Sequence, residues 1–341
     1  MAVSSIVKRL TPVSLLAALL YAPPELLEQY LGADFTRTTW PTIVKPILQT
    51  LVGLGVVRTL NAGLNALATN NWRVSSSPPG GKWDWPNEIA VVTGGCAGIG
   101  LSLVEGLTAK GVRVAVLDIQ DPPPSLKSNS KAFYFKCDVT SLSAVAETAD
   151  AVRAKLGGDP SILINNAGVA KSNSILEIPE NDLRKVMGVN LMAMWFTVKQ
   201  FLPAMIKNNK GHVVTIASLA SFVALATSIE YSATKAGALA FHEGLGCEIK
   251  HVYKAPGIAT TVVHPDFVRT AMTEPYADRI ERTQPMLKIS DVSTPVLNQI
   301  FSGRGGQLCL PPRLTFISTL RGWPNWLQEG LRDIIGSKSL P

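Results

Sequence analysis

Residues 88–100, EIAVVTGGCAGIG, set a short apolar run against a turn of small residues. The run from Glu88 to Thr93 reads as a buried strand, and Leu101, Val104, Leu107 and Thr108 beyond it recur at helical spacing. Strand, glycine turn and helix in that order lift a glycine motif above noise. Gly94 permits the tight turn, Gly98 lets the backbone approach a pyrophosphate, and Gly100 allows the helix to close on the strand. The helix start then offers amide hydrogens to phosphate oxygens. On its own, the turn is equally compatible with a plain loop.

The chain beyond repeats the alternation. GVRVAVLD (111–118) reads as a second strand ending in Asp118. A carboxylate there accepts both hydroxyls of an adenosine ribose and repels the extra phosphate of NADP. A solvated acid at a strand end is the plainer reading. AFYFKCDVT (132–140) is a third strand, ending at Asp138 and Val139 where an adenine edge would lie. SILINNAG (161–168) is a fourth, with Asn165 to Gly168 closing the sheet beneath a cofactor. Strand and helix patterns alternate throughout, which predicts an α/β fold with a doubly wound parallel sheet.

Chemistry enters after residue 210. In HVVTIASLAS (212–221), Ser218 ends a strand, and its hydroxyl can bond a substrate oxygen. In IEYSATKAGALAFHEGLGCEI (229–249), Tyr231 and Lys235 stand four apart and project from one helix face. A free phenol titrates near 10, too high for a base at neutral pH. A nearby ammonium, joined by an oxidised nicotinamide ring, favours the phenolate. A Tyr and a Lys at this spacing are also common surface residues.

TGGCAGIG, Asp118, NNAG, Asn190 within MGVNLMA, Ser218 and YSATK occur here in one order. The set resembles the short-chain dehydrogenases/reductases of the Tyr-x-x-x-Lys type over residues 85 to 300. The resemblance implies a Rossmann fold and assigns roles by position. Tyr231 is the general acid/base, Lys235 binds the ribose and tunes Tyr231, Ser218 orients the substrate, and Asn190 holds a water in a proton relay. It further implies that Gly94, Gly98, Ile99, Gly100, Asp118, Asp138, Val139, Asn165, Ala167 and Gly168 bind NAD. Tyr231, Lys235, Pro265, Val268 and Thr270 complete that set. FLPAMIKNNKGHVVTIAS, FHEGL and HPDFVRTAM are similar to the lipid-droplet branch with the type 11 17-beta-hydroxysteroid dehydrogenase and its retinol dehydrogenase relatives. That branch implies a hydrophobic N-terminal anchor, a steroid, retinoid or long-chain lipid alcohol as substrate, and a cytosol-facing catalytic domain on endoplasmic reticulum or droplets. A homodimer is expected. Asp266 departs from the family, most of which carries Gly there; Asp tolerates left-handed backbone better than most residues.

The composition fits membrane contact. Of 341 residues 46% are hydrophobic and 17% charged, against about 25% charged in ordinary globular chains. The mean hydropathy is +0.20. A net charge of +7 would suit nucleic acid. The basic residues are scattered, though, and no nucleic-acid partner is expected. Cys96, Cys137, Cys247 and Cys309 show no metal spacing and read as reduced thiols, and no metal is expected.

Residues 1–73 read as a hydrophobic anchoring region. Lys8 and Arg9 precede the uncharged LTPVSLLAALLYA (10–22), and Pro23/Pro24 follow. A signal peptide starts similarly but would need a cleavage site this stretch lacks. A second apolar stretch runs from Ile43 to Ala68, interrupted by Lys45, Pro46 and Arg58. Each is short or broken for a span, which predicts a monotopic hairpin turning near Pro23/Pro24 or Pro41, the plainer reading being two helices packed on the core. Residues 74–86, VSSSPPGGKWDWP, read as a linker whose Trp83 and Trp85 suit a membrane interface. Residues 87–310 form the dehydrogenase domain. Within it, the resemblance implies a lid over the substrate at 270–287, and GGQLCLPP looks like the last strand. Residues 311–341 are an amphipathic segment with Trp326, Leu327, Leu331 and Ile334 at helical spacing. That helix either packs on the domain or touches the bilayer.

Three functions follow: an NAD-dependent dehydrogenase of lipophilic alcohols, an NADPH-dependent ketoreductase, or a nucleotide-binding scaffold without turnover. The four reactive residues favour the first two, and Asp118 the first.

Overall fold

The structure is a computed structural model that describes residues 12–339. The chain divides into two compact units, one up to Val74 and one from Ser75.

The second unit holds a seven-stranded sheet in the order β3-β2-β1-β4-β5-β6-β7, every neighbouring pair parallel. Its strands are β1 (Ile89–Thr93), β2 (Arg113–Asp118), β3 (Ala132–Lys136), β4 (Ile162–Asn165), β5 (Gly211–Ile216), β6 (Ile258–Pro265) and β7 (Gly306–Leu310). The central strands are continuous runs of Val, Ile, Leu and Ala because both faces are covered. Successive residues still divide between the faces. Val91, Leu117, Leu163 and Val213 pack with Val145, Val152, Phe201 and Ile249. Val92, Val116, Ile164 and Val214 pack with Leu103, Leu107, Val292 and Ile300.

The strand order reverses between β1 and β4, so the crevice where a dinucleotide binds in such sheets lies at the carboxyl ends of these strands. Residues 88–136 hold no surprise in element order. Asn166 and Thr93 tie the two strand ends together: Asn166 Nδ2 donates to the carbonyls of Thr93 and Gly94, both at 3.0 Å, and Ala167 N donates to Thr93 Oγ1 at 3.0 Å.

The Trp pair expected at a membrane interface is packed instead. Trp83 and Trp85 stack with centroids 5.0 Å apart, and Trp85 meets the edge of Phe301 at 5.0 Å. Glu88, buried, pairs with Lys210 at 2.6 Å, and Lys210 Nζ also donates to the Lys82 carbonyl at 2.9 Å. Gly80 N donates to the Asn209 carbonyl. Residues 80–88 are thus pinned at the amino ends of the strands, opposite the crevice.

After β7 the chain forms a 3₁₀ segment (Pro312–Gly322) and a helix (Asn325–Ser339). Leu320, Trp323 and Leu331 pack with Leu219, Phe222, Val223 and Cys309. Phe316, Trp326, Leu327 and Ile334 face outward. One face of the helix is packed and the other is apolar and open. Of the four cysteines, all free, Cys96, Cys137 and Cys309 are buried and Cys247 is exposed.

In the first unit, residues 12–20 are helical, and a short helix (Pro24–Leu31) follows Pro23. Lys8, Arg9 and the first two residues of the first apolar stretch lie outside the described residues. A π-helical segment, Phe35–Val44, runs directly into an α-helix, Lys45–Ala68. Pro41 therefore does not turn the chain; the break falls at Pro23 and at Gly32, whose φ is 87°. The stretch Phe35–Ala68 is 34 residues long and, by length and composition, sufficient to cross a membrane. At 1.5 Å per residue a helix of that size exceeds the ~30 Å hydrocarbon core. Leu20, Leu27, Trp40 and Leu48 form the buried apolar cluster of this unit. Val13 lies against Gly55, where a Cβ would come within 2.5 Å of it, and Leu20 packs in the cluster with Leu48, so residues 12–20 run antiparallel to the long helix.

Candidate active site

The glycine turn follows β1 and opens the helix Gly98–Ala109. Gly94 and Gly98 have φ of 64° and 55°, backbone that disfavours any side chain. A Cβ at Gly100 would strike the Gly94 carbonyl. The helix cap, Ala97, has no side chain to occupy the first-turn amides, and the first bond within the helix is Leu101 N to the Ala97 carbonyl. Amides 98–100 therefore point past the helix end, where a diphosphate would sit. Ile99 is half-buried beside them and packs against the core cluster.

Asp118 ends β2 and is buried. Its Oδ2 accepts from Cys96 N at 2.9 Å and its Oδ1 from Gln120 N at 3.0 Å. Two backbone amides thus fix the plane of the carboxylate, and each oxygen keeps an accepting lone pair. The Cys96 thiol beside it is pushed up to about 12, first by burial and then by the Asp118 charge. Asp138 lies two residues past β3, its Oδ1 accepting from Thr140 N at 2.9 Å and Thr140 Oγ1 at 2.7 Å. Val139 turns into the core behind it.

Two asparagine side chains have their own protein partners. Asn165 is buried, its Oδ1 accepting from Thr197 Oγ1 at 2.7 Å and its Nδ2 without a partner. Its neighbour Asn166 braces the glycine turn instead. The Asn190 side chain is likewise committed. Its Oδ1 accepts from Val169 N at 2.8 Å, and its Nδ2 donates to the Val169 carbonyl at 2.9 Å and Thr234 Oγ1 at 3.2 Å. At 3% exposure it clamps the loop after β4, with both Nδ2 hydrogens and one Oδ1 lone pair engaged. It lies on a π-helical turn, Gly188–Met192.

Ser218 follows β5, and Tyr231 and Lys235 lie on the first turns of the helix Ile229–His251. Ser218 Oγ accepts from Ala220 N at 3.1 Å and donates to the Pro265 carbonyl at 3.4 Å. Burial pushes the Tyr231 phenol up, and its hydrogen bond with Ser218 pulls it back. The protein alone therefore opposes the phenolate that the sequence led us to expect, and added positive charge must overcome that opposition. Lys235 Nζ lies 5.5 Å from the Tyr231 ring centroid and donates to the Ile216 carbonyl at 2.9 Å. Burial lowers Lys235 to about 8. A Cβ at Gly168 would lie 3.6 Å from Asn190 Oδ1 and 3.8 Å from Lys235 Nζ, so the loop after Ala167 adjoins the reactive set.

The β6 end completes the site. Thr270 lies beside Gly98, with its methyl 3.5 Å from where a Cβ there would be. Thr273 Oγ1 donates to the carbonyl of Val268 at 2.6 Å and accepts from Thr270 N at 3.0 Å, which fixes this loop. Pro265 is buried at the strand end. Asp266 is not among the residues of positive φ, so the left-handed backbone invoked for it is unused. Burial raises its carboxyl, countered by hydrogen bonds from Phe267 N and Gln284 and by the Arg313 charge.

The glycine cradle, the open helix amides and the fixed Asp118 carboxylate together fit a nicotinamide dinucleotide. A family model described as short chain dehydrogenase matches residues 88–281. Dehydrogenase RED2 of Cochliobolus heterostrophus is 39% identical over 214 residues, 63% of this chain and 78% of that protein. Short-chain dehydrogenase/reductase family 16C member 6 of Bos taurus is 33% identical over 65% of this chain and 72% of its own. Retinol dehydrogenase 10 of Homo sapiens is 37% identical over 56% and 55%. Among solved structures, a short chain dehydrogenase/reductase from Burkholderia phymatum in complex with NAD has the same fold, with a TM-score of 0.64 at 23% identity, covering 72% of this chain and 96% of that one. The chain belongs to the short-chain dehydrogenases and is an oxidoreductase of that family.

Proposed function

We propose that the protein is an NAD-dependent dehydrogenase of a lipophilic alcohol, working at a membrane or lipid-droplet surface on the cytosolic side. The observation that carries this reading is the Tyr231 phenol, hydrogen-bonded to Ser218 and next to the Lys235 ammonium. NAD, when bound, supplies the hydride acceptor. Gly94, Gly98, Ile99 and Gly100 would hold its diphosphate, Asp118 its adenosine ribose, and Val268 and Thr270 the nicotinamide end. Ser218 would hold the substrate hydroxyl, and Tyr231 would take its proton. With its value near 8, Lys235 is mostly cationic at neutral pH and supplies positive charge beside the phenol.

Asp118 supports NAD over NADP. Neither the glycine turn nor the residue after Asp118 carries a cation to neutralise a ribose phosphate. The exposed apolar helices of the first unit support a substrate held in lipid, as do relatives named for retinol. A homodimer belongs to this reading, with Trp195, edge-to-face with Phe241 at 4.5 Å, on an outer helix face. The test is turnover by the detergent-solubilised protein with NAD and NADP, across retinols, steroids and fatty alcohols. Activity confined to NADP and ketones would replace this reading with the ketoreductase one. No turnover with any of them would leave the scaffold.

A further inference from the structure

We propose that His264 is a positioning residue for Ser218, gripping its carbonyl so that the hydroxyl keeps its aim at Tyr231 and the substrate oxygen. This rests on the roles of Ser218 and Tyr231 given above.

Ser218 lies just past the last rung of the β5–β6 ladder. Ile216 pairs with Val263, and Ala217 N still donates to the Val263 carbonyl at 2.8 Å. Ser218 itself is extended, with φ −170° and ψ 162°, but has no ladder bond left to hold it. The His264 side chain takes over. Its Nδ1 lies 3.0 Å from the Ser218 carbonyl oxygen. A carbonyl oxygen only accepts, so Nδ1 carries the proton. Nε2 is then an acceptor, and the Gln307 amide nitrogen lies 3.3 Å from it. Two partners, one just past β5 and one on β7, thus select one tautomer.

The ring cannot swing. His264 is fully buried and lies 4.6 Å from the Phe222 ring. The next residue, Pro265, places its carbonyl oxygen 3.4 Å from Ser218 Oγ, a weak acceptor that the hydroxyl proton leaves when it turns to the Tyr231 phenolate. Consecutive residues of β6 therefore meet Ser218 at both ends, carbonyl and hydroxyl. Ser221 N shares the carbonyl at 3.0 Å, but it belongs to the same short turn as Ser218 and moves with it. The imidazole ties that turn to the sheet.

The test uses the full-length protein in detergent and needs no substrate. In ¹⁵N-histidine-labelled protein, the signals lost in His264→Asn belong to His264 and should report a proton on Nδ1. A proton on Nε2, or an imidazolium at neutral pH, overturns the proposal. Tyr231 ionisation is read by ultraviolet absorbance against Tyr231→Phe. His264→Leu should raise the Tyr231 midpoint by about 0.7 pH unit, the equivalent of one ordinary hydrogen bond. His264→Asn, whose amide nitrogen falls near the place of Nδ1, should restore it. No shift in His264→Leu, or no rescue by Asn, overturns the proposal.

Ser218→Ala separates the two readings. If it leaves the Tyr231 midpoint unmoved, the role of Ser218 itself fails. If it shifts the midpoint and His264→Leu does not, only the inference about His264 fails. The double variant should shift no further than Ser218→Ala alone, because both act through one hydroxyl. Should His264→Leu not fold, Gln307→Leu carries the test. It removes the donor to Nε2 and should lower the Nδ1-protonated population and move the midpoint the same way.

Discussion

The two units use similar residues in opposite ways. In the second, Val91, Val116, Leu163 and Val213 are wholly withdrawn from solvent between two layers of helices. In the first, the helix Lys45–Ala68 is as rich in Leu and Val, yet Ile47, Leu51, Leu54, Val57, Leu60 and Leu64 face outward. A sheet with helices on both faces supplies partners for every apolar side chain, whereas a few helices without a layer above them cannot. Apolar composition therefore states how much surface must avoid water, and only architecture states whether protein or lipid covers it.

The sharpest tests keep the two roles apart. Tyr231→Phe should lower turnover at least about a hundredfold, the lower range for general acid–base catalysis. Dinucleotide affinity, membrane attachment and melting should hardly change. Retained turnover would move the acid/base away from Tyr231.

Removing residues 1–74 should shift most of the protein from the membrane pellet to the supernatant. The second unit should keep its melting transition and its stabilisation by NAD. A truncated protein that still pellets would assign attachment to the open face with Trp326 and Ile334. One that no longer folds would mean that the first unit packs as part of the core, and the contrast drawn here would collapse.

Asp118→Ser should move cofactor preference toward NADP by about tenfold or more, the scale of a charged hydrogen bond. Competition kinetics with both dinucleotides would read this. A wild type that already prefers NADP would contradict the role of Asp118.

The smallest expected effect is on stability in acid. Burial lowers His212 to about 3 and His242 and His264 to about 4. His242 adds to the lowering of His212, His264 to that of His242, and Lys235 to that of His264. Unfolded imidazoles take up protons from about pH 6.5, whereas these resist until far lower. Their contribution is fully present above about pH 6.5 and is lost as the pH falls toward 4. Melting temperature should drop by several degrees over that window, and His242→Leu should flatten the slope. An equal slope in both proteins would show that other groups control it.

What was legible in the sequence was whatever chemistry requires at close spacing. The glycine turn, Asp118 at a strand end and Tyr231 with Lys235 on one helix face are local arrangements, and strand periodicity supplied the sheet. What escaped depends on partners far along the chain. The binding of Asn166 to Thr93, and of His264 to Ser218, spans 73 and 46 residues. Two adjacent asparagines look alike in sequence, yet Asn165 turns into the core while Asn166 braces the turn. The Trp83/Trp85 pair read as an interface because nothing nearby announced Phe301 or Lys210.

The thiols have a practical consequence. Burial raises Cys96, Cys137 and Cys309, and a thiol that stays protonated is a poor nucleophile. Cys247, exposed on the helix that carries Tyr231 and Lys235, is therefore the natural address for a maleimide dye or spin label in the unmodified chain. A probe fixed there by a rigid helix would report by quenching whether this unit approaches a lipid surface at all, without removing a single native cysteine.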